Sequence, residues 1–239
     1  MMYGNNMKKE LIVFIAHIDD FECACYGYVF KHHKEYDKIK IVTATTWAKK
    51  LTVWGENLSL FPKEILDKVE DINLGFAQRQ LTTEFDNLKD KFYKLIDFNK
   101  RFDILTHDEE DCHSDHTALA KAARGMYKYC NRFVTIYSPS SAHFNPNYFV
   151  GLDEDTYALK KVTLDKMEAA ELFIILDNVN YRKNYFQNRN KLLNNNGVEE
   201  WFTIQVEKGA TSKQIKDVKV TDGPWRKKIV KKLEQNLGV

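Results

Sequence analysis

The residues best able to do chemistry stand in two short clusters about a hundred positions apart, His17-Ile18-Asp19-Asp20 and Asp111-Cys112-His113-Ser114-Asp115-His116. Imidazole nitrogens mixed with carboxylate oxygens are the donor set of a catalytic zinc site, where three protein ligands hold the ion and a fourth position is left to water. His17 and Asp20 are three residues apart, so one tight turn can aim both at a point, and His116 can supply a third donor from the other cluster. Asp19, between the two ligands, then reaches the water without binding the ion and serves as general base. His113 lies one helical turn before His116 and close to the same face, where it suits stabilising an oxyanion or protonating a leaving amine. Asp115 cannot share that face; orienting an imidazole fits it better, and Asp111 opens the same cluster. The chemistry is hydrolysis by a metal-activated water. A plainer reading stands beside it, because Asp is a favoured N-cap and each of these aspartates could simply start a helix. Capping alone does not explain two such clusters at two strand ends in one chain.

The elements that must position these groups follow from the apolar pattern. LIVFIA (11–16) is a β-branched run that stops at the first cluster, and FDILT (102–106) precedes the second. Both read as buried strands. KIKIVTAT (38–45), RFVTIYS (132–138) and WFTIQV (201–206) are further strands. Helices are expected at 22–36, 81–100, 115–129 and 155–173, the second with Phe85, Leu88, Phe92, Leu95 and Ile96 on one face. The segment from Trp47 to Leu74 is expected to be irregular and surface-lying, and SPSSAHFNPN a loop. Strands alternating with helices mean βαβ units and a mostly parallel sheet covered on both faces, with ligands beyond the carboxyl ends of the strands. No Pro/Ser/Gly linker divides the chain, so it reads as one domain over 1–239, with a core at about 8–206 and a basic extension over 207–239.

Composition narrows the class. A net charge of +2, from 36 basic and 34 acidic residues, implies no dominant field for nucleic acid. The four cysteines include no CxxC, and three of them adjoin the two clusters, which points to reduced thiols and a cytoplasmic setting. The early apolar run is too short for a signal core or a membrane span. His32 and His33 read as a solvated helix end, Cys23 and Cys25 as packing residues, and His107 and His143 as loop residues, with His143 a candidate for lining the pocket.

The order of the motifs is similar to that of the PIG-L/LmbE family of zinc-dependent N-acetylglucosamine deacetylases. The family's A-H-P-D-D-E, followed by a glycine pair, stands here as AHIDDFECACYG, and its D-x-H-P-D-H as Asp111 to His116. NPNYFVGLDEDTYALKKVTLDKMEAA resembles the family's Pro-containing strand and lysine-bearing helix, and GVEEWFTI (197–204) its late strand. The resemblance spans about residues 11 to 206. It implies a Rossmann-like three-layer α/β sandwich with one Zn²⁺, or another divalent ion, on His17, Asp20 and His116. It further implies Asp19 as base and His113 facing the tetrahedral intermediate. The substrate it implies is an N-acetylated sugar or glycoconjugate, with a homo-oligomer left open. Ile18 and Ser114 replace prolines, Phe21 replaces the glutamate, and Tyr26 replaces the first glycine, with Gly27 retained. No ligand is lost. Phe21 and Tyr26 are therefore expected to form an apolar wall that contacts substrate, with the aromatic stretch from Trp47 to Phe61 as an outer rim. Arg79 is the candidate for the family's substrate-binding arginine.

Overall fold

The computed structural model describes residues 9–141, 144, 146–166 and 198–207. Seven strands form one sheet: β1 (Lys9–Ile15), β2 (Lys38–Thr45), β3 (Val69–Phe76), β4 (Arg101–Thr106), β5 (Arg132–Ile136), β6 (Tyr148–Leu152) and β7 (Val198–Glu207). Their order is β3-β2-β1-β4-β5-β7-β6. The first five are parallel neighbours, and β7 runs antiparallel to both β5 and β6. The chain winds outward from β1 to β3 and then crosses back to place β4 on the other side of β1. The crevice between β1 and β4 is therefore the point where strand order reverses, and it is here that ligands bind in open α/β sheets.

Helices cover both faces because the strand side chains alternate. Leu11, Val13 and Ile15 of β1 pack on α1 (Asp20–Ala24), α2 (Tyr26–His32), α3 (Ala48–Ser59) and Leu164 of α7 (Glu154–Asp165). Ile12, Phe14 and Ala16 pack on α5 (Phe85–Leu95) and α6 (Ser114–Arg124) instead. A strand buried on both faces carries no polar alternation, which is why β1 reads as an unbroken apolar run.

Three sequence expectations change. The Trp47–Leu74 segment is ordered: it holds α3, a short helix α4 (Lys63–Leu66) and most of the edge strand β3. The expected helix over 22–36 is broken into α1, α2 and a 3-10 turn at His33–Glu35. His32 and His33 are buried rather than solvated; His32 bonds Glu35 and the Tyr148 hydroxyl, and His33 bonds the Phe30 carbonyl. The expected helix to 173 is seen to Asp165, and residues 167–197 and the basic tail lie outside the described residues.

The weakly similar late segments are tied to the first motif by one carboxylate. Glu200 of β7 accepts from the backbone N–H of Gly27 at 2.8 Å and of Tyr28 at 3.3 Å, and it pairs with Lys160 of α7. Lys160 also donates to the Cys23 carbonyl at 3.0 Å. A Cβ at position 27 would lie 2.2 Å from Leu152 Cδ2 and 3.0 Å from Glu200 Oε2, so only glycine admits this approach.

Candidate metal centre and active site

Beyond β1 the chain turns back on itself: the His17 N–H donates to Asp20 Oδ2 at 2.8 Å and the Asp20 N–H to the His17 carbonyl at 3.3 Å. This aims both side chains at the crevice, where α6 delivers His116. His17 Nδ1 lies 3.2 Å from His116 Nε2 and 3.4 Å from Asp20 Oδ2, and His116 Nε2 lies 3.4 Å from Asp20 Oδ1. A tetrahedron of zinc–ligand bonds of about 2.0–2.1 Å has an edge of about 3.3–3.4 Å. Each separation is near that edge, with Asp20 meeting the two imidazoles through different oxygens, Oδ2 toward His17 and Oδ1 toward His116. Three overlapping donor groups occur here: His17 with His113 and His116, Asp20 with His107 and His116, and His17 with Asp19 and Asp20. His17, Asp20 and His116 are the members that recur. His107 stacks on His116 at 3.8 Å and 18°, and His113 stacks on it at 4.7 Å and 29°.

Each of the two imidazoles is backed by a carboxylate on its far nitrogen, the arrangement that fixes the tautomer and orientation of a metal-binding histidine. Asp115 Oδ2 stands 3.2 Å from His17 Nε2, and Asp111 Oδ2 stands 3.3 Å from His116 Nδ1. Asp115 is itself held by the backbone N–H of Arg79 at 2.6 Å and of Leu81 at 3.2 Å. Asp111 accepts from Ser140 at 2.6 Å and Ser141 at 3.1 Å, and from Ser138. Asp115 does not cap α6; the N-cap is His113, whose Nδ1 accepts the Asp115 N–H at 3.2 Å. That bond leaves the proton of a neutral His113 ring on Nε2.

Asp19 occupies the N-cap position of α1 but makes no side-chain capping bond. Its carboxylate instead meets Lys50 Nζ at 3.1 Å. Lys50, on α3, is 1% exposed and lies 4.2 Å from the centroid of the Trp47 ring.

The charges are strongly coupled. Burial lowers the His17 pKa, but Asp115 and Asp20 outweigh it and push the ring up to about 10. His116 is likewise desolvated, yet Asp20 and Asp111 raise it to about 9. Burial raises the Asp20 carboxyl, but His116 and His107 hold it well below its ordinary range. His113 is pulled down by burial and by the neighbouring His116 and His17 charges.

A cavity of about 240 Å³ opens onto these groups, lined in part by His17, Asp19, Asp20, His113 and His116. Trp47, Gln78 and Arg79 form part of its wall, with Cys23, Pro139 and Ser140. Phe21 and Tyr26 do not: both are fully buried among Trp54, Phe61 and Phe30 in the core. The wall expected from them is packing, because their side chains point to the α3 side of the turn. Of the expected aromatic rim only Trp47 lines the cavity, while Trp54 and Phe61 join that core. His143 lies outside the described residues.

Two neighbours of the site were not singled out by sequence as part of it. His107 directly follows β4, is fully buried, and reaches Asp20 Oδ2 at 3.1 Å. Its place one residue past a strand end was the available signal. Lys50 had none, since a lysine on an amphipathic helix ordinarily reads as solvated.

The profile of the WbqC-like protein family matches residues 164–239, a stretch mostly outside the described residues. No curated protein matches the chain in sequence. Solved structures do match in fold. GalB, the 4-carboxy-2-hydroxymuconate hydratase of Pseudomonas putida KT2440, is 16% identical with a TM-score of 0.58, covering 86% of this chain and 99% of its own. The N,N'-diacetylchitobiose deacetylase of Pyrococcus horikoshii is 14% identical with a TM-score of 0.54, covering 84% of each chain. A zinc-inhibited form of the teicoplanin deacetylase Orf2 is 11% identical with a TM-score of 0.51, covering 84% of this chain and 100% of its own. The chain thus has the α/β fold of the LmbE-like deacetylases, one that a hydratase also uses. Among the described residues no helix is long and apolar enough to cross a membrane.

Proposed function

We propose that this protein, read as a single domain, is a metal-dependent N-deacetylase acting on an N-acetylglucosamine-type sugar or conjugate. The observation that carries this is the convergence of His17, Asp20 and His116, with pairwise contacts of 3.2–3.4 Å, and of the Asp19 carboxylate on the same cavity wall. His17 Nδ1, His116 Nε2 and the Asp20 carboxylate would hold the ion. Two imidazoles with one carboxylate suit zinc, although such sites do not exclude other divalent ions. Bound there, the ion supplies Lewis acidity to the acyl oxygen and makes a water molecule acidic enough to react near neutral pH.

The remaining work falls to the protein. Asp19 takes a proton from the attacking water as the new C–O bond forms, and returns it to the nitrogen as the C–N bond breaks, releasing acetate and a free amine. Lys50 holds the Asp19 carboxylate in place. His113 offers Nε2–H to the oxyanion, since its Nδ1 is engaged by the α6 backbone. Asp115 and Asp111 fix the two ligand rings. The cavity is smaller than the roughly 300–1,000 Å³ typical of drug-sized sites, and the Trp47 ring in its wall suits stacking on one sugar ring.

The likeness in fold to a hydratase means that fold alone does not select the reaction. Mass spectrometry of the metal-loaded protein with N-acetylglucosamine and its conjugates tests the reading. Loss of the acetyl mass supports it, and the same activity on other N-acyl amides or esters would move the substrate class. Stoichiometric metal with no turnover on any of these would make the chain a binding protein of the same fold.

A further inference from the structure

One buried imidazole touches all three segments that carry the candidate ligands. His107 stands directly after β4, the strand beside β1, and is fully buried. Its ring stacks on that of His116 at 3.8 Å and 18°. Its Nε2 lies 3.1 Å from Asp20 Oδ2, and it also meets the Ala16 N–H, one residue before His17, at 3.2 Å. The Ala16 carbonyl is gripped as well: it accepts from the N–H of Thr45 at 3.0 Å and from its hydroxyl at 2.8 Å. The peptide that leads into the His17–Asp20 turn is thus held by β2 on one side and by a side chain from the end of β4 on the other.

The surrounding core does not satisfy this ring. Among the described residues its Nδ1 is buried with no hydrogen-bonding partner. A neutral imidazole has one donor nitrogen and one acceptor nitrogen, and here two groups of opposite kind share Nε2. With the ring proton on Nδ1, Nε2 accepts from Ala16 and a buried Nδ1–H is left unmatched. With the proton on Nε2, the ring donates to Asp20 and gives up the Ala16 bond. Each arrangement forgoes a buried hydrogen bond, which calls for a role other than packing.

We propose that His107 is a positioning residue for the ion. Through Nε2 it sets the Asp20 carboxylate and the Ala16 peptide, so that His17 and Asp20 of the first cluster meet His116 of the second at one point. Asp20 Oδ2 is the oxygen that His107 faces, which leaves Oδ1 directed toward His116. The inference rests on the metal part of the proposed function and on no step of the reaction.

The test is metal affinity, read by competition with a chromophoric chelator for Zn²⁺ and, separately, for Co²⁺. Three variants separate the Nε2 contacts from packing. His107→Leu fills a similar volume with no polar atom. His107→Gln carries its amide about as far as Nε2, whereas the amide of His107→Asn stops near the place of Nδ1. His107→Leu and His107→Asn should each weaken Zn²⁺ binding by about 10–100-fold, the usual effect of removing a group that orients a ligand. His107→Gln should recover most of that loss, because one amide offers both a donor and an acceptor. Visible absorption of the Co²⁺ forms is the second readout, since it follows the coordination geometry. Wild type and His107→Gln should share one spectrum, and the other two variants should depart from it. Chemical denaturation of the metal-free proteins checks that each is folded. If His107→Leu does not fold, the comparison of Gln with Asn, one amide at two reaches, decides alone. Unchanged affinity and spectrum in His107→Leu would make the ring core packing and overturn the assignment. A loss in His107→Gln equal to that in His107→Asn would overturn it too. A wild type that binds neither ion would instead overturn the metal reading on which this one rests.

Discussion

The Asp111 carboxylate stands 3.3 Å from His116 Nδ1, while the opposite nitrogen of the same ring faces Asp20 at 3.4 Å. One imidazole is thus held from behind by a group that three serines hold in turn. Protein purified without chelator should carry one zinc or similar ion per chain by elemental analysis. Asp111→Ala should weaken its affinity by about 10–100-fold, the usual effect of removing such a support, and His116→Ala should lose the ion. Full occupancy in His116→Ala would remove that residue from the ligand set.

Asp19→Asn should keep the ion and slow deacetylation by roughly 10²–10⁴-fold, because an amide of nearly the same shape cannot take the proton. Steady-state rates set beside metal content decide this. Loss of the ion in Asp19→Asn would make Asp19 a ligand and exchange the roles of the two aspartates.

Metal uptake should release protons. In the metal-free protein the carboxylates push His17 up to about 10 and His116 to about 9, so the pair holds protons near neutral pH that must leave before both facing nitrogens can bind an ion. Calorimetry in buffers of different ionisation enthalpy should find at least one proton released per ion at pH 7. Affinity should climb with pH until about 10. The metal-free fold behaves oppositely. Both folded pKa values lie above the unfolded value of about 6.5, so the stability from these rings is complete below that pH and is lost as pH rises through 9 to 10. A metal titration with no proton release would contradict the paired-carboxylate account.

Phe21→Ala should destabilise the fold by about 3–5 kcal/mol without changing which sugar is preferred, since the ring fills a core among Trp54 and Phe61. Chemical denaturation and a substrate panel on the same variant separate the two effects. A changed preference at unchanged stability would return Phe21 to the cavity wall.

The parts legible in sequence are those whose local pattern and long-range role coincide. β1 is apolar because it is buried on both faces, and the His17–Asp20 cluster directly follows it. β3 was hidden because it is the sheet edge, where VEDINLGF leaves most of its residues at least partly in water. Lys50 was hidden because its reason for burial, Asp19, lies on another element. Phe21 and Tyr26 misled through the opposite error. They adjoin the motif in sequence, but a turn followed by a short helix points them away from the cavity that the motif faces.

The Glu200 carboxylate, clasped to the Gly27 and Tyr28 amides and to Lys160, has a consequence for how the molecule comes together. The second helix after the His17–Asp20 turn, α2, is secured by a residue more than 170 positions later in the chain. Contacts of such separation close slowly, because the loop entropy must be met before the bonds form. The early half can form β1, β2 and the turn, but α2 keeps two amides waiting until β7 is made. A cut at residue 164, where the WbqC-like match begins, would remove that carboxylate and strand the Lys160 ammonium in the interior. Order of synthesis and order of completion therefore diverge: the segment that follows His17 and Asp20 is among the first made and among the last to be locked.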